Sequence, residues 1–129
     1  MSELEQFLSL PDVNEIQEEV FVNNRVGTFT IKPMSSAQFD EYSKRCRSKV
    51  NKKGMDFDTA KFNLLIVAGQ TIKPDFNNAE LLKKAGCATA SELIEKKLLA
   101  GEIAVLSEKI SEISGFNTDI NEKVAEAKN

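Results

Sequence analysis

The stretch TASELIEKKLLAGEIAVLSEKISEISGF, residues 89–116, decides how the rest of this sequence is read. Both of its ends carry helix signals. Thr89 is placed to accept the backbone N–H three residues on while Glu92 reaches back to the Thr89 N–H, the two halves of a capping box. Glu92 and Glu95 also suit the positive N-terminal end of a helix. At the far end Gly115 is free to take the left-handed conformation that closes the last turn. Phe116 then folds back onto Ile110 or its neighbours, as in a Schellman ending. Between the caps, Leu99, Ile103, Leu106, Ile110 and Ile113 recur at intervals of four, three, four and three. That spacing predicts a helical segment with one apolar face, which Leu93, Ile94 and Leu98 broaden. Gly101 interrupts at a cost of about 1 kcal/mol relative to alanine, so the helix bends there or another backbone comes close. The stripe serves either as the domain's own core or as a docking groove for a partner segment.

Upstream, Asn77 and Glu80 are predicted to cap a short helix, NAELLKKAG, that stops at Gly86, and IKPDFNN before it reads as a loop. FNLLIVAG, residues 62–69, is apolar nearly all round and follows a capping Asp58, the pattern of a central buried helix. Ser35 with Gln38 caps an earlier helix on which Phe39, Tyr42, Cys46 and Val50 share a face, and NKKG at 51–54 breaks it. EEVFV (18–22) and TFTI (28–31) are short and rich in β-branched and aromatic residues, and NNRVG between them suits a turn, so a hairpin is predicted. Two strands alone are marginal in water. The ribbon should therefore lie against helices or join a partner's sheet at its open edge.

The fold class expected is thus α+β: an N-terminal β-hairpin followed by a mainly α-helical domain with a long capped C-terminal helical segment. Residues 1–17 form an acidic amphipathic arm in which Ser2 and Glu5 cap a turn or two carrying Leu4, Phe7 and Leu8. Residues 18–116 form a single domain, a normal size for one hydrophobic core. Residues 117–129 read as a frayed helix or disordered tail.

Composition narrows the chemistry. Hydrophobic residues at 41% and charged residues at 29% are ordinary for a soluble globular domain. No apolar run approaches the roughly 20 residues that span a bilayer. The acidic start lacks the pattern of a secretory signal, which points to the cytoplasm. There is no histidine, so the commonest general base and the commonest transition-metal ligand are both missing. Cys46 and Cys87 stand far apart and suit reduced thiols better than a disulfide framework. Phosphate-binding, nucleophile-elbow and zinc motifs are all missing, and Asp56 with Asp58 lacks the spacing of a calcium loop. The expectation is a protein without catalytic activity, cofactor or metal.

Charge is uneven along the chain. Residues 1–24 hold six acids and no base, while residues 25–53 hold eight bases and two acids. Lys44, Arg45, Arg47, Lys49, Lys52 and Lys53 crowd into ten positions, which raises a nucleic-acid-binding accessory domain as the alternative function. No aromatic residue interleaves with them, so a solvated helix face, turned toward the acidic arm, accounts for the same cluster.

Several of these segments taken together carry a resemblance. LIEKKLLAGEIAVLSEKISEISGF (93–116), IKPDFNNAELLKKAG (72–86), EEVFV, TFTIKPMSS and FDEY resemble the XkdN-like phage tail assembly chaperones. The likeness runs from Glu18 to Phe116, its most specific part being LLAGEI followed after a helical stretch by SGF. It leaves the acidic arm and NKKGMDFD aside. It implies a non-catalytic protein in the host cytoplasm of a long-tailed phage or prophage, left out of the mature virion. The partners it implies are the tail tape measure protein, the tail tube protein and a frameshift-extended form of the same chain, with no membrane and no nucleic acid. A tape measure exposes apolar stripes that would aggregate if uncovered. The candidate contact residues are Leu99, Ile103, Leu106, Ile110, Ile113 and Phe116, or the hairpin edge.

Overall fold

A computed structural model describes residues 2–47 and 57–116. Alternation of apolar and polar residues makes the expected hairpin from β1 (Glu18–Asn23) and β2 (Gly27–Ile31), paired antiparallel with Val20 opposite Phe29. Val20, Phe29 and Ile31 are buried on one face of the ribbon, and Phe21, one residue out of phase, is 61% exposed. The turn is organised by Asn23, whose Oδ1 accepts from the N–H groups of Arg25 and Val26, both at 3.0 Å. Gly27 supplies the positive φ of 80° that lets the second strand begin.

The sheet is larger than the hairpin. Part of the IKPDFNN segment, expected as a loop, forms β3 (Thr71–Lys73), which pairs antiparallel with β2. The strand order is β1-β2-β3, so the chain's own third strand covers the outer edge of β2 and β1 is left as an edge. Three residues are too few to show a period of two, which is why the strand left no pattern in the sequence.

α2 (Ser36–Cys46) and α3 (Thr59–Gln70) follow their sequence signals. Ser35 and Gln38 form a complete capping box on α2, and Asp58 accepts from the Lys61 N–H at 3.0 Å to cap α3. α3 is apolar all round because it is surrounded: α2, β3 and the two helices α5 (Ala90–Lys97) and α6 (Ala100–Ile113) pack against it, and Ile66 and Val67 are fully buried. The cap of α4 (Ala79–Ala85) is Asn78, not Asn77. Asn77 turns inward instead, its Nδ2 donating to the Ala68 carbonyl at 2.9 Å.

Residues 89–116 are helical and capped at both ends, but they form two helices, α5 (Ala90–Lys97) and α6 (Ala100–Ile113). The break falls at Leu98 and Leu99, both in extended backbone, and not at Gly101, which lies in the first turn of α6 with open space around it. Thr89 caps α5 through the Glu92 N–H at 3.2 Å, while the Glu92 carboxylate takes the N–H of Ala88 rather than that of Thr89. α6 ends as expected of a Schellman motif. Gly115 has φ of 100°, and the N–H groups of Phe116 and Gly115 donate back to Ser111 and Glu112. The Phe116 ring lies 4.9 Å from that of Phe39 on α2.

Before the sheet, α1 (Glu3–Leu8) and a 3-10 turn (Val13–Glu15) form an arm with no buried residue. Residues 117–129 and Val50 lie outside the described residues.

Candidate partner-binding surface

The predicted stripe divides into an inner and an outer part. Leu106 and Ile110 are fully buried in the core, and Ile113 is half-buried beside them. These residues hold α6 to the rest of the fold. Leu99, which caps α6 without a polar side chain, is 59% exposed, Phe116 is 41% exposed, and Ile103 is half-buried. The reason for the split is the break at Leu98–Leu99, which turns the start of α6 away from the line that α5 would have continued.

Of these outer residues, Ile103 lines a groove. Ala60, Asn63 and Leu64 of α3, Glu95 of α5, and Ala100, Ile103 and Ala104 of α6 line an apolar cavity of about 190 Å³. Alanines on both helices keep the walls low. Asn63 is fixed by the Ser107 hydroxyl, which donates to its Oδ1 at 2.8 Å, so the groove's polar end is internally satisfied. A row of small residues beside Ile103 and Leu64 suits the apolar face of an extended or helical segment.

The position of this groove depends on a polar cluster that no sequence signal announced. Glu102 is only 3% exposed, and Arg25 from the hairpin turn grips its carboxylate with Nε at 2.9 Å and Nη2 at 2.7 Å. Asn23 Nδ2 adds a third donor at 2.9 Å, and the Leu99 N–H a fourth at 2.7 Å. Arg25 also donates to the Lys97 carbonyl, the group that the broken helix leaves open. The break between α5 and α6 is thus satisfied from outside, by the β1–β2 turn. The Arg25 guanidinium, then the Leu99 N–H and then Asn23 hold the Glu102 carboxyl well below the usual range, at about 2. Half of a signature was visible: Glu102 stands three residues after Leu99, but leucine supplies no capping oxygen. Arg25 is 77 residues away and had no signal.

The basic residues are not gathered by the fold into a described site. Lys44, Arg45 and Arg47 are exposed on or just after α2, and Arg45 Nε pairs with Glu41 at 3.0 Å within the helix. Lys49, Lys52 and Lys53 lie outside the described residues. None of the ion pairs among the described residues joins this cluster to the arm. Cys46 is buried and Cys87 half-buried, and both are free thiols. Burial pushes the Cys46 thiol up, against a smaller lowering by Lys61. Asp58 is occupied as a helix cap, Asp56 lies outside the described residues, and no metal-binding cluster occurs among those described. No helix among the described residues is long and apolar enough to cross a membrane.

These features define a small α+β domain, a three-stranded sheet on a helical layer whose outer side carries apolar grooves. The chain belongs to the phage XkdN-like tail assembly chaperone protein family, whose sequence model matches residues 4–128 and so takes in the arm and the segment that the resemblance left aside. It is similar to the phage-like element PBSX protein XkdN of Bacillus subtilis (strain 168), with 33% identity over 106 residues, 78% of this chain and 72% of that protein. The crystal structure of the protein yqbn has the same fold, with a TM-score of 0.68 at 24% identity, covering 91% of this chain and 99% of that one.

Proposed function

We propose that this chain binds the tail tape measure protein of its phage or prophage, keeps it soluble and helps recruit tail tube subunits, acting by contact and without chemistry of its own. Membership of the tail assembly chaperone family across nearly the whole chain is the observation that carries this reading. It acts in the host cytoplasm and is left out of the mature virion. The contact surface is the groove between α3 and α6, which Ile103 lines, together with the exposed Leu99 and Phe116 of the predicted contact set. Leu106 and Ile110 serve it from below by fixing α6, since they are fully buried.

Co-expression tests this reading. Tape measure protein made alone should aggregate, and should stay soluble and co-purify when this chain is present. Leu99→Asp, at a position 59% exposed, should remove that effect while the circular dichroism spectrum stays unchanged. Ala104→Trp, which fills the groove, should do the same. Tape measure protein that is equally insoluble with and without this chain would refute the proposal.

A further inference from the structure

A second apolar groove lies between α4 and α5. Pro74 and Phe76 after β3, Leu81 and Ala85 of α4, and Leu93 of α5 enclose about 400 Å³, within the usual size of a ligand pocket. Phe76 and Leu93 form a buried floor, and Leu81 is 37% exposed. The rim is basic: Lys84 and Lys97 stand over the opening, both exposed, and neither takes part in the ion pairs among the described residues.

The same chain carries a matching shape and charge. On α1, Leu4, Phe7 and Leu8 recur at helical spacing, and with Leu10 they are 67%, 69%, 72% and 61% exposed. A run of large apolar side chains left in water marks a contact surface. The segment holds Glu3 and Glu5 beside these side chains and no base before Arg25. The arm leads into β1 and the groove opens just after β3, at opposite edges of the sheet. An arm and a receptor at opposite edges meet most directly between copies, head to tail.

We infer that the arm of one copy docks in the α4–α5 groove of a second copy, Phe7 and Leu8 entering the cavity and Glu3 and Glu5 meeting Lys84 and Lys97. Each copy then offers one arm and one groove. Such a contact extends with concentration or closes into a ring, of which a reciprocal pair is the smallest. The interaction carries both an apolar and an electrostatic part, so salt weakens it without abolishing it.

Sedimentation of the full chain over a concentration series tests this. The wild type should associate with rising concentration, into a closed pair or beyond, and Phe7→Asp or Leu81→Asp should each weaken association at least about tenfold. The two variants complement one another, because Phe7→Asp retains the groove and Leu81→Asp retains the arm. Mixed, they should form a one-to-one complex that grows no further. Lys84→Glu with Lys97→Glu, both at exposed positions, should lose association, and adding Glu3→Lys with Glu5→Lys should restore it. A wild type that stays monomeric at every concentration, including through an arm docked on its own groove, overturns the inference. So does association that neither Phe7→Asp nor Leu81→Asp changes, or a mixture that fails to pair.

Discussion

At Gly69 the usual preference against glycine in a helix is reversed. The Tyr42 ring packs over it, and a Cβ placed there would fall on the Tyr42 hydroxyl, which donates to Gln70 Oε1 at 2.8 Å. Gln70 is fully buried and in turn donates through Nε2 to the Pro33 carbonyl at 2.8 Å, so moving Tyr42 disturbs the joint between α2, α3 and the end of the sheet. An ordinary Gly→Ala change in a helix gains about 1 kcal/mol. Here Gly69→Ala should instead destabilise by about 1–3 kcal/mol, the range for overpacking, as read from urea unfolding. Two residues on, the Thr71 hydroxyl is buried and is the one buried side-chain polar atom without a partner among the described residues. Thr71→Val keeps the β-branched shape and removes the orphan group, and should stabilise by about 1 kcal/mol. Neither effect is visible in the sequence, where Gly69 closes the apolar run FNLLIVAG and Thr71 falls between that run and IKPDFNN.

Among the elements, the break between α5 and α6 decides what the surface looks like, and it is set by contacts from the hairpin turn. The caps at Ser35, Asp58, Thr89 and Gly115 were legible because each acts within a few residues of itself. The Arg25–Glu102 contact was not legible, because pattern reading sees no partner so far along the chain. β3 escaped for the opposite reason, being too short to have a pattern. The pH dependence of this contact has a definite sign. The Glu102 carboxyl sits at about 2 in the folded protein, and about 4.3 is usual for an unfolded glutamate. Its contribution is therefore fully present above about pH 4.3 and is lost as the pH falls toward 2. Glu102→Gln should be less stable than wild type at pH 7, and the difference should shrink between pH 4.3 and 2 in urea midpoints measured at each pH. A gap of constant size across that range would mean that the carboxylate charge plays no part.

For the molecule as a whole, the hydrophobic stripe on residues 99–113 is divided between core and surface. Its periodicity correctly gave a helix, but periodicity cannot say which side of a helix meets its own protein and which meets another. The structure buries Leu106 and Ile110 and leaves Leu99 exposed, just ahead of the residues at the start of α6 that line an open groove. Leu106→Ala should cost about 2–5 kcal/mol, as large-to-small changes in a core do, whereas Leu99→Ala, at an exposed position, should change stability little. The measurement that bears most directly on the proposed role is a titration of the isotope-labelled full chain with apolar helical peptides tiled along the tape measure protein, followed by NMR. Saturable shifts gathered on Ala60, Leu64 and residues 99–104, lost in Ala104→Trp, are the predicted result. Shifts confined to the opposite side of the molecule, or none with any peptide, would contradict the assignment of that groove as the place where a tape measure segment is held.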